Sequence, residues 1–450
     1  MDRAEQERVP VSALGVMRCC ITFLLSFYAL LSSAGGVSFS REVAPILQRH
    51  CVACHKEGKA KGKYRLDTYE QLRKELEPGD LESELLFRIT TEDEEERMPA
   101  EAEALAGTEI AVIRKWIAEG AKYDGEDPSA LLTAIIPVKA HPAAPESYPR
   151  PLGVTAMVFG GEGRKLYTGG YHEILVWNHE DGSLLARIPN NGQRTYALAL
   201  SPDGEQLAAA TGAPGQAGEV RVFESRTGRV VATPFRDDDT LLTVAFGPGG
   251  ERLAFGGVDG KLRIVQTDTW RESLLVASHS DWITSVDWHP DGKRLVTASR
   301  DQLTKVYDVI SGEKLSVFSG HPGGVRGAAF HPKGEEVLSC GDHGHFFLWR
   351  IKDGKKAADR AKFEGPVLRL LKAGTGFFTS APGGMVVQFN LEAQQRLREF
   401  RIEPREGAEA PTVSSCASHG SWLAVGTLDG RVAVFNAENG EKRNAFVAKP

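Results

Sequence analysis

The chain has 450 residues, 54 basic and 60 acidic, with 41% hydrophobic and 25% charged positions. That is the make-up of a folded protein with room for two or three cores, and it excludes a disordered chain. A formal charge of -6 leaves no basic excess to neutralise a phosphate backbone, so no nucleic-acid partner is expected; six cysteines are too few for a disulfide scaffold.

The first segment with character is Cys19 to Leu31, an uncharged apolar run too short to span a bilayer comfortably. Small residues follow at Ser32 to Gly36, so residues 1–34 read as a signal peptide with a cleavage site after Ala34, an uncleaved anchor being the alternative. Three acids balance three bases ahead of the run, which is unlike a positive leader, and translation is therefore expected to begin at Met17. The mature protein is expected to be periplasmic or otherwise exported, with no membrane span once the signal is removed.

Next comes Cys51-Val52-Ala53-Cys54-His55, the C-x-x-C-H spacing of covalent haem c attachment. Two thiols on one turn each add to a porphyrin vinyl group, while the adjacent imidazole faces the iron. A thioredoxin-like pair needs a βαβ setting, and a structural zinc site needs a second ligand pair; this region offers neither. Upstream, Phe39, Val43, Ile46 and Leu47 repeat at helical spacing behind Ser38 and Ser40. Downstream, Thr108 to Ile117 predicts a helix capped at Thr108, with Ile110, Ile113, Trp116 and Ile117 on one stripe. The distal iron ligand is expected to be Met98, the one methionine between Ser40 and Arg150, with His50 as a weaker candidate. Glu92, Asp93, Glu94, Glu95 and Glu96 precede it, an acidic rim suited to a basic redox partner protein.

The stretch FSREVAPILQRHCVACH, the Met98-Pro99 pair and the ending IRKWIAEGAKYDG together resemble the small c-type cytochrome domain of planctomycete-type proteins, over residues 37–125. The resemblance implies one haem, attached through Cys51 and Cys54 and ligated by His55 and Met98. That family commonly reads Met-Pro-Pro where this chain has Met98-Pro99-Ala100.

Residues 126–153 carry Pro128, Pro137, Pro142, Pro145, Pro149 and Pro151 and predict an extended linker, with a short strand at Ile135 to Val138. From residue 154 to 450 a four-strand pattern recurs, marked by Gly163, Gly204, Gly250, Gly292, Gly334, Gly374 and Gly420 at a period of 40 to 46 residues. A unit this short cannot bury both faces alone, so seven copies predict a closed seven-bladed β-propeller. Ser201-Pro202-Asp203-Gly204, His289-Pro290-Asp291-Gly292, Trp349 and the Asp259-Gly260 and Asp429-Gly430 turns resemble the WD-repeat family. The overall expectation is mixed and multidomain: a small all-α monohaem cytochrome c domain followed by an all-β WD-repeat propeller. Each copy holds its own outer strand, so the ring is expected to close by side-chain packing or through Ile135 to Val138. His279, Thr297, Asp301 and Tyr307 resemble the hydrogen-bonded set that braces a WD blade, and Cys340 and Cys416 are expected to be unbonded.

On one propeller face three loops should converge, bringing His172, Glu173 and Arg194 beside an insertion at Thr211 to Gly218. The leading expectation is an exported electron-transfer protein whose propeller docks a protein or ligand. The alternative is a haem-linked oxidoreductase whose propeller face binds an oxidisable substrate such as a carbohydrate.

Overall fold

The computed structural model describes residues 36–52, 54–58, 64–100, 104–137, 140–374 and 376–450. The expected signal peptide therefore lies outside the described residues. The chain divides into two compact units, 1–137 and 138–450. No helix among the described residues is long and apolar enough to cross a membrane.

The first unit is helical. Ser38 Oγ accepts the Arg41 N–H (3.1 Å) and starts a π-helical turn, Phe39–Val43, that runs into α1 (Ala44–His50). Phe39, Val43, Ile46 and Leu47 are buried, as their spacing predicts. Thr68 caps α2 (Tyr69–Lys74) through the Gln71 N–H (3.1 Å), and α3 (Glu84–Thr90) carries an Arg88–Glu84 pair on its outer side. α4 (Gly107–Ala118) buries Ile113, Trp116 and Ile117. It begins one residue before the expected cap at Thr108. The Glu109 carboxylate accepts the Ala106 N–H (3.2 Å) instead, serving an end that Ala106 has no side-chain oxygen to serve.

Trp116 is fully buried at the centre of this core, its ring 5.1 Å from Phe39 and its Nε1–H on the Lys122 carbonyl (2.8 Å). The strand expected at Ile135 to Val138 is absent: Leu132–Ile135 forms a helical turn, α5, and Val138 lies outside the described residues. Its apolar residues are used differently from a lone strand, because Leu132 is buried against the helices. Leu131 bridges Thr68, and Glu70 N–H reaches the Pro128 carbonyl (2.8 Å), so residues 128 to 136 pack on the helical unit and are not an extended connector.

The second unit is a seven-bladed propeller. Blade 1 is β1 (Met157–Gly160), β2 (Lys165–Gly169), β3 (Ile174–Asn178) and β4 (Leu184–Ile188). Blades 2 to 7 follow as β5 to β8 (194–237), β9 to β12 (241–277), β13 to β16 (283–318), β17 to β20 (325–362), β21 to β24 (370–401) and β25 to β28 (413–447). Each blade is a four-stranded antiparallel sheet of consecutive strands. Third strands such as β3 are buried on both faces, because neighbouring blades cover them, whereas outer strands such as β12 alternate between half-buried and exposed.

The period of turn glycines has a backbone cause: Gly163, Gly204, Gly250, Gly292, Gly334 and Gly420 all take positive φ. Among the described residues no strand is exchanged at the seam. Blade 1 meets blade 7 through one apolar core that includes Met157, Leu166, Trp177, Ala424, Val432 and Val434. Val154 N–H on the Thr427 carbonyl (3.0 Å) and Ser414 Oγ on the Val154 carbonyl (2.8 Å) complete it. The ring thus closes by packing.

In blade 4, His279 contacts Asp301 through Nδ1 (2.8 Å) and Thr297 through Nε2 (2.7 Å), and Ser278 Oγ–H reaches Tyr307 Oη (2.9 Å). Blade 5 has a shorter version, His321 Nε2 on Ser339 Oγ (2.7 Å). Burial pulls both imidazoles down to about 4. Cys340 is buried, Cys416 is half-buried, and both are unbonded.

Candidate functional site

Cys51 closes α1, its N–H on the Leu47 carbonyl (2.9 Å); the N–H groups of Cys54 (3.2 Å) and His55 (3.0 Å) then return to the Cys51 carbonyl. A single turn thus carries both thiols and the imidazole. Cys54 is exposed, Cys51 and His55 are half-buried, and Ala53 lies outside the described residues. Burial, and then the nearby Glu109 carboxylate, push the Cys51 thiol up to about 12 and keep it protonated.

His55 Nδ1 lies 3.0 Å from the Tyr64 carbonyl oxygen. A carbonyl can only accept, so Nδ1 carries a proton, and Nε2 is the ring nitrogen left to ligate a metal. The Tyr64 ring stands edge-on to the imidazole at 6.0 Å, and Leu66 N–H on the His55 carbonyl (2.8 Å) holds the loop from the other side.

Met98 is half-buried, and its N–H donates to the Arg88 carbonyl at the end of α3 (2.8 Å). Glu92 to Glu96 are exposed beside it, while Glu101 and Glu103 lie outside the described residues. His50 is committed elsewhere, its Nε2 3.2 Å from Glu109, which also pairs with Arg49 at 3.1 Å.

Tyr64 Oη, Ser83 Oγ and Arg97 Nε are buried with no hydrogen-bond partner among the described residues. Folded proteins leave few such groups unpaired. Here one neighbours Cys51, one opens α3 and one adjoins Met98, although the propeller also holds such atoms, His179 Nδ1 and Thr240 Oγ1 among them. Two unbonded thiols, an imidazole whose Nδ1 is committed to a carbonyl, and a thioether are donor types that fit a haem.

On the propeller, His172, Glu173 and Arg194 do not share one surface. Glu173 is 1% exposed; it takes Arg187 Nε (2.6 Å) and Nη2 (2.7 Å) and the Tyr148 hydroxyl. His172 is buried, with its Nδ1 3.4 Å from the Asn191 carbonyl, and burial holds its imidazole below the usual range. Arg194 is exposed and lines a cavity of about 320 Å³ with Thr155, Tyr171, Gln193, Tyr196 and Pro214. The expected insertion is a regular hairpin, β6 (Gln206–Ala213) and β7 (Ala217–Glu224) joined by a tight turn, because Gly215 supplies its positive φ and donates its N–H to Asp239 (3.1 Å).

Sequence reasoning missed a buried ionic cluster beside this wall. Glu219 accepts from His141 Nε2 (2.6 Å), lies 2.9 Å from Arg221 Nε, and has Arg236 at 3.4 Å. Burial alone would raise its carboxyl, but these three partners hold it below the ordinary range. No local motif announces the cluster, since its members lie on separate segments. Tyr148 and Arg187 were missed for the same reason.

Residues 51–101 match the family model for planctomycete cytochrome C, and residues 272–308 and 312–350 match that for the WD domain, G-beta repeat. Each matched repeat begins on the outer strand of one blade and ends on the third strand of the next. No curated protein matches the chain. Among solved structures, the computationally designed Ika8 protein superposes with a TM-score of 0.52 at 18% identity, over 67% of this chain and 88% of that one, a likeness of fold alone. The chain thus joins a cytochrome c-like segment to a seven-bladed propeller, and both carry recognisable family sequence: planctomycete cytochrome C in the first, WD repeats in the second.

Proposed function

We propose that this chain is an exported electron-transfer protein holding one haem c. Cys51 and Cys54 are its thioether attachment points, His55 and Met98 are its axial iron ligands, and the propeller serves as the docking platform for a partner. The observation that carries this reading is the His55 Nδ1–H bond to the Tyr64 carbonyl, within a C-x-x-C-H turn, which leaves Nε2 as the free donor. The haem, when bound, supplies reversible one-electron chemistry.

The protein's own groups set its conditions. The Tyr64 carbonyl fixes the His55 tautomer and ring plane. The Arg88 carbonyl anchors the Met98 backbone to α3, so the thioether is presented from a fixed loop, and thioether ligation raises the reduction potential relative to a second imidazole. The exposed carboxylates from Glu92 to Glu96 favour the oxidised, more positive iron and draw a basic partner, with a salt-dependent on-rate. The apolar run at Cys19 to Leu31 supports export.

The test is the intact mass and the oxidised and reduced absorption spectra of protein matured in an oxidising compartment. The expected result is a mass one haem above the polypeptide and a low-spin spectrum, both lost in Cys51→Ser/Cys54→Ser. Colourless protein with the bare polypeptide mass, or a high-spin, peroxide-reactive haem, overturns the reading.

A further inference from the structure

The cavity around Arg194 is built within the propeller unit and owes nothing to the cytochrome unit. Its lining comes from the start of blade 1 (Leu152, Gly153, Thr155), the turn after β2 (Gly169, Gly170, Tyr171), and the entry to blade 2 (Gln193, Arg194, Tyr196) with Pro214. At about 320 Å³ it lies at the small end of the range of ligand pockets, roughly 300 to 1,000 Å³. An occupant of monosaccharide size fits.

Arg194 is the single charged side chain in the lining. Among the described residues its guanidinium makes no ion pair and no side-chain hydrogen bond, unlike Arg187, Arg221 and Arg326, which all face carboxylates. A second cation stands behind the wall, because Arg369 reaches the carbonyl of Thr155 (3.3 Å) and that of Ser414 (2.6 Å). Tyr171, 38% exposed, and the half-buried Tyr196 supply ring faces and hydroxyls, and Gln193 an amide whose Nε2 lies 3.4 Å from Tyr171 Oη.

The wall is held firmly. Tyr171 and Arg194 form a backbone bridge, and His172 N–H reaches the Gln193 carbonyl (3.3 Å). His172 (φ 61°) and Asn190 (φ 62°) both take left-handed backbone, uncommon for residues other than glycine and stored where surrounding structure over-determines it. The buried Glu173 with its half-buried partner Arg187, and Tyr148, buttress the same turn: Tyr171 N–H donates to Tyr148 Oη (2.9 Å). Adding a Cβ at Gly170 would bring it within 2.7 Å of that hydroxyl.

We propose that this cavity binds a hydroxylated carboxylate of monosaccharide size, the chemistry of a sugar acid, with Arg194 taking the carboxylate and Tyr171, Tyr196 and Gln193 the hydroxyl-bearing ring. A lone guanidinium fork pairs a single carboxylate in two parallel hydrogen bonds. Two phenol rings and an amide are wasted on a bare inorganic anion, whereas they match the apolar faces and hydroxyls of a sugar. The same chemistry is offered by a free sugar acid and by the end of an acidic polysaccharide.

The experiment is calorimetric titration of the full chain with D-galacturonate, trigalacturonate, D-galactose and inorganic phosphate, repeated with Arg194→Ala, Arg194→Lys and Tyr196→Phe. Galacturonate is expected to bind, with affinity falling about tenfold or more in Arg194→Ala and less in Arg194→Lys, which keeps the charge but not the fork. Tyr196→Phe is expected to weaken binding a few-fold, and galactose to bind at least about tenfold more weakly than galacturonate. Tighter binding of the trimer assigns the site to chain ends, and weaker binding to the free acid. Because Arg194 is exposed, the melting temperature of its variants should match the parent, which separates loss of the site from loss of fold. Galactose or phosphate binding as tightly as galacturonate, full affinity in Arg194→Ala, or no binding of any probe to folded protein overturns the proposal.

Discussion

Two buried imidazoles make the propeller's stability a function of pH in a narrow window. His279 and His321 are held down to about 4, against an ordinary value of 6.5, chiefly by burial. The unfolded chain therefore binds a proton on each between these two values while the folded chain does not, so stability is intact above pH 6.5 and falls as pH drops toward 4. The slope is about 1.4 kcal/mol per pH unit per histidine. Going from pH 8 to pH 5 thus costs about 2 kcal/mol for each, or about 4 kcal/mol together. His172, His179, His331 and His345, also held below the usual range by burial, add in the same direction. The depressed carboxylates do not confuse the window: Glu219 and Asp301 begin to lose their contribution only near and below their ordinary values of 4.5 and 3.8. The assay is urea unfolding followed by tryptophan fluorescence at half-unit steps from pH 8 to 5. His279→Gln and His321→Gln should each be less stable at pH 8 and should each lose about 2 kcal/mol less on acidification. A parent protein whose stability changes by less than about 1 kcal/mol across that range, or variants that keep its full slope, would refute the argument.

Other perturbations have equally definite outcomes. Arg187→Ala leaves the Glu173 charge buried without its cation and should cost about 3 to 5 kcal/mol in urea unfolding, with partial recovery in Arg187→Ala/Glu173→Gln. Trp116→Ala removes the centre of the helical core and should cost that unit about 3 to 5 kcal/mol, seen as an earlier loss of helical circular dichroism on heating. Met98→Ala should retain the haem mass of the parent but lower the midpoint potential in a redox titration; an unchanged potential would remove Met98 from the iron.

What could be read from the sequence was what physical chemistry repeats or spaces locally. The propeller was legible because six of its seven marker glycines occupy the same left-handed turn in successive blades. The α4 stripe was legible because Ile113, Trp116 and Ile117 must share a face at 3.6 residues per turn. The Cys51-to-His55 turn was legible because its donors are contiguous. The propeller wall was not, since Glu173 finds Arg187 across neighbouring strands and Tyr148 comes from the segment ahead of the first blade. The strand expected at Ile135 to Val138 misled for a related reason: a short apolar run does not by itself separate strand from helix, and the helical core that buries Leu132 draws Leu132–Ile135 into a helical turn.

The seam between the first and last blades has an evolutionary consequence. Since every sheet is assembled from four neighbours in sequence and the circle is joined by an apolar core with a few isolated hydrogen bonds, not by a shared sheet, a whole blade can be duplicated, dropped or exchanged by one in-frame event without severing any ladder of backbone bonds. Divergence among the copies, from the complete His279 network to the abbreviated one at His321, is what such modular inheritance permits: each sector can drift while its neighbours hold the circle.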